Sequence, residues 1–427
     1  MKKYSVIFVL ILMSILGFSQ LVFSQKSKVT SAWSYLKDGY LDDAKKAIDQ
    51  AEAHQQTNNW YKTYYYKGQI YQDIGVTQNP KYKSLCNNCL DVSYEAYLKA
   101  LVLNLTNPEN QKLDLHTQEG FLQFVKIISA QNARDYEDSQ AMMDIIGNRF
   151  PALSNAFVNQ GVNSFQNNDF EKAYSNFEKA MDIATLSFRV DTQLMYFTSL
   201  AAFRSDKFKE AIEINDILMK LNYGIDNDEK VGIYLNQAQA YAKTGDTVKM
   251  LSTLEQGIKK FPESNYPLVI ETFNYYVNKD EKPKALEYIS MAIESNPNDP
   301  QFFVIKGTLL EEMKNKSEAE KEYEKALKLD INNFDANYSM GAFLYNGAID
   351  TLNWMTDNVP IGNFAEEEKY KKIANDMFAR ALPHLVKTYE LQPNNINVLS
   401  TLSTIYYRLG RMDDYAKIKG ELDELTK

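Results

Sequence analysis

The residues with the clearest chemical potential are two cysteines, Cys86 and Cys89, which stand three positions apart in the sequence Cys-Asn-Asn-Cys. Such a pair can form a structural disulfide, act as a redox pair or supply half of a metal site. A metal site needs two further soft ligands, and the chain has no other cysteine. A thioredoxin-like role needs the pair at the start of a helix that follows a strand, and no segment has a strand pattern. We expect a disulfide that closes a loop, with redox activity and free thiols as the alternatives.

No other side chains form a catalytic or metal-binding pattern. The three histidines, His54, His116 and His384, are far apart in the sequence, and each fits a surface or helix-packing role better than that of a ligand or base. Acidic pairs such as Glu311-Glu312 are adjacent along the chain, so they cannot converge as an acid–base pair by themselves. The sequence also lacks a glycine-rich phosphate loop and the zinc-protease and serine-hydrolase motifs. We therefore predict that the chain is not an enzyme and needs no cofactor or metal ion.

The first 25 residues have the pattern of a secretory signal peptide. Two lysines precede an apolar run over residues 6–18, and a Val-x-Ser cleavage signal ends at Ser24. The apolar run is too short to span a bilayer comfortably, and no cysteine follows it at the distance typical of lipoproteins. We expect cleavage near Ser24 or Gln25 and a soluble chain in the periplasm or outside the cell, with an uncleaved anchor as the alternative.

The charge of the chain narrows the choice of partner. The sequence carries 56 acidic and 47 basic side chains, which gives a formal net charge of −9. An acidic surface repels phosphate backbones and anionic lipids, so nucleic acid and membrane surfaces are unsuitable partners. No stretch after the leader approaches the ~20 apolar residues of a membrane helix. We expect a protein or peptide partner and no membrane insertion of the mature chain.

A helix-turn-helix unit recurs along the sequence. The four clearest copies begin at Ser154, Val231, Tyr266 and Pro300. Small or apolar residues occupy positions 8, 20 and 27 of these copies: Gly161, Ala173 and Ala180; Ala238, Met250 and Gly257; Phe273, Ala285 and Ala292; and Gly307, Ala319 and Ala326. Small side chains at such positions let two antiparallel helices pack closely. Proline follows two of the second helices, at 262 and 297, and is expected to end them.

With a period near 34 residues, this pattern resembles the tetratricopeptide repeat (TPR). The resemblance covers about residues 25–425 and is weakest between 107 and 150. It implies an all-α fold: a TPR-like helical solenoid in which antiparallel helix pairs stack as a right-handed superhelix. A long insertion follows Tyr345-Asn346-Gly347 and precedes the helix that contains Ala381-Leu382-Pro383-His384-Leu385. In this the chain is also similar to exported bacterial TPR proteins that carry a long insertion inside a late repeat.

The repeat pattern divides the chain into segments. After the signal peptide at 1–25, we predict degenerate TPR-like helices at 26–150 with a cysteine-containing insertion at 75–90, a regular array at 151–345, a second insertion at 346–376, and C-terminal helices and a cap at 377–427. In the weak region we expect a helix near 121–128 and a second helix that ends at Pro151. The second insertion is too apolar for a solvated linker. We predict a helical hairpin that turns at Pro360 to Gly362 and either packs on adjacent repeats or contacts a partner.

In TPR proteins the first helix of each repeat lines a concave groove, and the resemblance carries that role to positions in this chain. The protein-binding residues so implied are Tyr65, Tyr66, Asn155, Asn159, Gln193, Tyr196, Arg204, Asn236, Gln239, Lys243 and Asn274. Amide side chains both donate and accept hydrogen bonds, so they can bracket the main chain of an extended peptide without reading its charge. Few basic residues are among them, which disfavours capture of a terminal carboxylate. The alternative is an ordinary polar helix face.

These observations predict an exported, non-catalytic TPR scaffold. It would mediate protein–protein interaction or the assembly of an envelope complex by binding a peptide or protein segment in its groove. Two alternatives stay open. One is a glycan-binding receptor component of the SusD-like kind, although the chain lacks the lipid-bearing cysteine of those proteins. The other is a redox protein that depends on Cys86 and Cys89.

Overall fold

The computed structural model describes residues 26–130 and 132–426, and this part of the chain is all-α. Its strand-like pairing is a single isolated β-bridge between Leu105 and Tyr136. The helices are α1 (26–37), α2 (Leu41–Glu52), α3 (Tyr61–Val76), α4 (Pro80–Lys83), α5 (Cys89–Leu103), α6 (Gln118–Ser129), α7 (Ser139–Asp144), α8 (Phe150–Gln166), α9 (Phe170–Leu186), α10 (Thr192–Arg204), α11 (Phe208–Lys220), α12 (Asn227–Lys243), α13 (Thr247–Lys260), α14 (Tyr266–Asn278), α15 (Lys282–Ser295), α16 (Pro300–Glu312), α17 (Lys316–Leu329), α18 (Phe334–Asn358), α19 (Phe364–Leu391), α20 (Ile396–Arg408) and α21 (Met412–Leu425).

Most of these helices form antiparallel pairs with their neighbours in sequence, such as α8 with α9 and α16 with α17. In both of these pairs the helices approach closely because a glycine of the first helix faces an aromatic ring of the second. A Cβ atom added to Gly161 would lie 2.4 Å from Phe177 Cε1, and one added to Gly307 would lie 2.6 Å from Tyr323 Cε1. Small residues on the second helices, such as Ala319, are fully buried. The predicted pattern of small residues therefore marks the helix contacts.

Short turns join the two helices of a pair. Before α9, Asn168 adopts the left-handed backbone conformation with φ of 60°. Asparagine tolerates this conformation better than most residues. The next residue, Asp169, caps α9 by accepting a hydrogen bond from the backbone N–H of Lys172. Local sequence thus fixes where the second helix begins.

The described chain divides into two compact units, one that ends at Tyr223 and one that begins at Gly224. In the first unit, buried residues of α1 to α3 form one hydrophobic cluster, and a second cluster extends from α3 to α11. In the second unit, a cluster extends from α16 to α21. The last helix, α21, has one buried residue, Ile418, and two partly buried ones that pack on the cluster, Tyr415 and Leu422, so most of its other residues face solvent as expected of a cap.

The prediction that a helix ends at Pro151 is wrong. Helix α7 runs into a π-helical turn at Ile145–Arg149, and α8 continues directly with Pro151 in its first turn. A proline at the start of a helix is tolerated because the N–H that it lacks has no intrahelical partner there. By contrast, α13 and α15 end before Pro262 and Pro297, as predicted.

The second insertion forms the predicted hairpin. Helices α18 and α19 have 25 and 28 residues, and a turn that includes Pro360 to Gly362 joins them. The two arms pack together through the rings of Trp354 and Tyr370, whose centroids are 4.7 Å apart. Ile361, at the tip, is fully exposed. The prediction of helical structure is confirmed, and the apolar tip is open to solvent.

The predicted signal peptide, residues 1–25, lies outside the described residues. Within the described ranges, no helix combines the length and apolar composition that crossing a membrane requires.

Candidate functional site

The structure places the sulfur atoms of Cys86 and Cys89 at disulfide distance, and the bond between them stays a prediction. Cys86 follows the short helix α4, and Cys89 is the first residue of α5, with their Cα atoms 5.6 Å apart. Leu90, the next residue, contacts the end of α3 so closely that a Cβ atom on Gly75 would lie 2.4 Å from its Cδ2. A bond between the two cysteines would close the loop that carries the chain from α3 to α5.

A cavity of about 570 Å³ borders the disulfide loop. Besides the two cysteines, its wall contains amide side chains and lysines from the loop and from α8 and α9: Lys83, Asn87, Asn88, Gln160, Asn163, Asn167, Lys172, Asn176 and Lys179. Asn176 already donates to the Lys172 carbonyl oxygen at 2.8 Å, and Lys179 forms an ion pair with Asp91. The wall is polar, but several of its members have partners within the chain.

The histidines have ordinary structural partners. His116 Nε2 lies 3.0 Å from a carboxylate oxygen of Glu95, and His384 Nδ1 lies 3.3 Å from the side-chain oxygen of Asn337. Burial lowers the pKa of His384, which favours its neutral form. Among the described residues, no group of three or more His, Cys, Asp and Glu side chains is placed to hold a metal ion.

One carboxyl group, that of Asp182 on α9, is an unusually weak acid. Although its side chain reaches solvent, the surrounding protein atoms and the nearby Glu178 carboxylate raise its pKa from 3.8 to about 6. A hydrogen bond from the Tyr94 hydroxyl opposes part of this rise. Because the ionised form is disfavoured in the folded chain, Asp182 destabilises the fold at neutral pH.

An aromatic patch lies where α1 and α3 meet in the first unit, and we define it as Trp33, Tyr65 and Tyr66. The ring centroids of Trp33 and Tyr66 are 6.5 Å apart, and those of Tyr65 and Tyr66 are 5.2 Å apart. Trp33 is 39% exposed, and both tyrosines are half-buried. The ammonium group of Lys37 lies 5.1 Å from the centre of the Trp33 ring. The patch therefore offers aromatic surface with a cation at its edge.

Hydrogen bonds from α3 to residues at the two ends of α7 hold the α3 side of the patch in place. The hydroxyl of Tyr65 donates to Asp144 at 2.8 Å, and that of Tyr61 donates to Asp138 at 2.9 Å. Asp144 also accepts from Arg149 Nε at 3.1 Å. Burial and the Asp144 carboxylate raise the pKa of Tyr65, so its hydroxyl stays protonated and continues to donate. Tyr65 is thus held in place before any ligand arrives.

The remaining predicted groove residues of the first unit lie on α8 and α10. Asn155 and Asn159 are exposed and, four residues apart, share one face of α8. Gln193 is exposed on α10, while Tyr196 is half-buried with its ring 6.0 Å from that of Tyr223. Arg204 is exposed, and its guanidinium lies 5.9 Å from the centre of the Phe170 ring.

The predicted groove residues of the second unit differ in exposure. Asn236 is buried, with 8% of its surface exposed, and offers little area to a partner. Gln239 is half-buried and donates to Glu271 at 3.4 Å. Lys243 and Asn274 are exposed. The groove role itself stays a prediction for all of these residues.

The sequence prediction missed Trp33. The predicted small residue at position 8 of the first repeat is Ala32, which is fully buried. Trp33 therefore occupies position 9, on the first helix of the repeat, the helix that the TPR resemblance assigns to the groove. Extending the repeat numbering to α1 is the signal that identifies this residue.

A family model for the tetratricopeptide repeat matches residues 300–333. No curated protein matches the chain. Among solved structures, a TPR repeats protein from Bacteroides fragilis is 20% identical, over 60% of this chain and 98% of its own, with a TM-score of 0.29.

Two further solved structures are similar. MamA is 16% identical, over 46% of this chain and 92% of its own, with a TM-score of 0.35. YrrB, described as a TPR protein with an unusual peptide-binding site, is 15% identical, over 46% of this chain and 96% of its own, with a TM-score of 0.33. At such identities and scores these likenesses carry no information about partners.

Proposed function

We propose that the chain is a non-catalytic TPR scaffold, because residues 300–333 match the tetratricopeptide repeat and the same helix-pair pattern recurs in both units. It binds an extended segment of a partner protein in the groove that side chains from the first helix of each repeat line. We further propose that it acts outside the cytoplasm, in the assembly of an envelope complex. The leader pattern of the sequence supports this location.

The aromatic patch is the observation that carries the proposal. Most aromatic side chains at helix contacts of this chain are buried, as are Tyr97 and Tyr323. Trp33 instead leaves 39% of its surface exposed beside the half-buried Tyr66. Rigid aromatic side chains lose little conformational entropy on binding and are enriched among the residues that dominate interfaces. A partner that covers the patch therefore gains apolar contact at low cost.

The exposed amides extend the binding face. Asn155 and Asn159 lie on one face of α8 and can exchange hydrogen bonds with the main chain of an extended peptide. The patch supplies affinity through buried apolar area, while the amides supply orientation. Neither the aromatic patch nor the amides select strongly for a charged ligand. The proposed ligand is therefore an extended segment with apolar or aromatic side chains.

Affinity capture from an envelope extract tests the proposal. The wild-type chain and a Trp33→Ala, Tyr66→Ala variant are immobilised at equal density, and retained proteins are identified by mass spectrometry. Tyr40→Ala is the matched control because Tyr40 is 54% exposed and lies in the turn before α2. We expect the patch variant to lose the partner that the wild type and the control retain. Equal capture by all three would contradict the proposal.

The same experiment separates the two rival functions. If no protein partner is retained, and if glycosidase treatment of the extract abolishes capture, the result favours glycan binding. Loss of capture in a Cys86→Ser, Cys89→Ser variant, with the patch variant unaffected, favours a role that depends on the disulfide.

A further inference from the structure

A cleft lies at the root of the hairpin in the second unit, separate from the aromatic patch. Its volume is about 520 Å³. Its wall is formed by residues of α16 to α19: Glu311, Lys316, Phe343, Asn346, Gly347, Asp350, Thr351, Trp354, Tyr370 and Met377. It exists because α18 and α19 extend beyond the length of a repeat, and the first turns of the extension stand over the end of α16 and the start of α17.

One side of the cleft is apolar and accessible. Trp354 is 47% exposed, and its ring packs against that of Tyr370 with centroids 4.7 Å apart. Met377 is half-buried, and the absence of a side chain at Gly347 gives its methyl group space, since a Cβ atom there would lie 2.3 Å from Met377 Cε. An indole, a phenol ring and a thioether together suit an apolar side chain of variable shape.

The other side of the cleft is charged, with two acidic groups and one basic group. Asp350 and Lys316 form an ion pair at 2.8 Å, and both side chains are more than half exposed. The Glu311 carboxylate accepts a hydrogen bond from the Tyr323 hydroxyl at 3.0 Å. The rim therefore carries a net negative charge, which favours a basic group on the occupant.

We propose that this cleft binds a partner polypeptide segment in which an apolar side chain adjoins a lysine or arginine. The apolar side chain enters between Trp354 and Met377, while the basic group approaches Asp350 and Glu311. The exposed pair of Lys316 and Asp350 opens at little cost, because exposed ion pairs contribute little stability. This site goes beyond the proposed function of the aromatic patch, and either can hold without the other.

Trp354 provides a reporter in the cleft itself. The chain has three tryptophans, so a Trp33→Phe, Trp60→Phe variant of the full chain leaves Trp354 as the single indole. The probes are end-blocked hexapeptides with one leucine followed by arginine, glutamine or glutamate in a glycine–serine background. Because Trp33 is replaced, a change in Trp354 emission reports binding at the cleft and not at the patch.

Two substitutions of the same ion pair give opposite expectations. Lys316→Gln makes the rim more negative, whereas Asp350→Asn makes it less negative, although both break the same pair. We expect the first to tighten binding of the arginine peptide by about two- to fivefold and the second to weaken it by a similar factor, as for exposed charge pairs. Ile361→Ser at the hairpin tip is the control, because Ile361 is exposed and does not line the cleft.

The predicted result is saturable quenching or shift of the Trp354 emission by the arginine peptide, weaker with glutamine and weakest with glutamate. The two ion-pair variants should move the affinity in opposite directions, and the tip variant should match its parent. No emission change with any peptide would overturn the proposal, as would equal shifts in both variants. Emission that changes with protein concentration alone would indicate a second copy of the chain as the occupant and would also overturn it.

Discussion

A close helix contact in the repeat matched at residues 300–333, that of Gly307 with Tyr323, gives a sharp test of how the fold is held together. In Gly307→Ala, the new Cβ atom would lie 2.6 Å and 2.8 Å from the Cε1 and Cδ1 atoms of Tyr323. Tyr323 is 1% exposed, and its hydroxyl donates to Glu311 at 3.0 Å and lies 3.3 Å from the Thr308 hydroxyl oxygen. Because burial and these bonds hold the ring in place, the helices must separate to accept one methyl group.

The expected magnitude combines two opposing contributions. Alanine is favoured over glycine inside a helix by about 1 kcal/mol, while overpacking a tight core contact costs about 1–3 kcal/mol. We therefore expect a net change in the free energy of unfolding that lies between zero and a loss of about 2 kcal/mol. The matched control is Gly420→Ala in α21, where the new Cβ atom would meet nothing within 4 Å. This variant should gain about 0.5–1 kcal/mol from helix propensity alone.

Urea unfolding followed by far-ultraviolet circular dichroism measures both effects. Adding Tyr323→Leu removes the ring atoms that the new methyl group would meet, so Gly307→Ala should cost less in that background by at least ~0.5 kcal/mol. If Gly307→Ala stabilises the chain as much as Gly420→Ala does, or if the Tyr323→Leu background leaves its cost unchanged, then the close contact is not what limits the residue at this position.

Three further predictions concern the disulfide, one weak acid and the leader. Alkylation without reductant should leave Cys86 and Cys89 unlabelled in the chain isolated from its own compartment, as intact-mass analysis will show, and two added labels would contradict the disulfide. The pKa of Asp182 is raised from 3.8 to about 6 in the folded chain, so its ionisation lowers stability as pH rises between these values, and the penalty is complete above the upper one. At a pH above about 6, Asp182→Asn should therefore raise the temperature midpoint of unfolding, whereas at a pH below 3.8 it should leave the midpoint nearly unchanged. An equal rise in the midpoint at both pH values would refute the assignment. N-terminal sequencing of the exported chain should start at or near Gln25, and recovery of an intact first residue would contradict cleavage.

The repeat pattern predicted the helix pairs well because close packing leaves a direct mark on residue size. At Gly161, Gly307 and Ala319, a larger side chain would collide with a ring or a facing helix, so the requirement appears in the sequence itself. The hairpin was predictable for a related reason. Leu352 and Trp354 are too apolar for a solvated loop, and helical pairing gives part of their surface a place to pack.

Other features depend on relations that sequence spacing does not record. In the sequence, Pro151 indicates the end of a helix, yet the π-helical turn at Ile145–Arg149 lets α8 begin without a break. The repeat pattern places Asn236 among the predicted groove residues, but it is buried because neighbouring side chains cover it in the folded unit. Position within a repeat gives the direction of a side chain, whereas exposure depends on the size of residues from other helices.

The central claim is that a partner binds at the aromatic patch, and site-specific photo-crosslinking tests it most directly. A photoreactive phenylalanine derivative is placed at Tyr66 in one chain and at Tyr40 in a second, and each is irradiated in envelope extract. The claim predicts a discrete crosslinked product from position 66 and none from position 40. A product from position 40 with none from position 66 would contradict it.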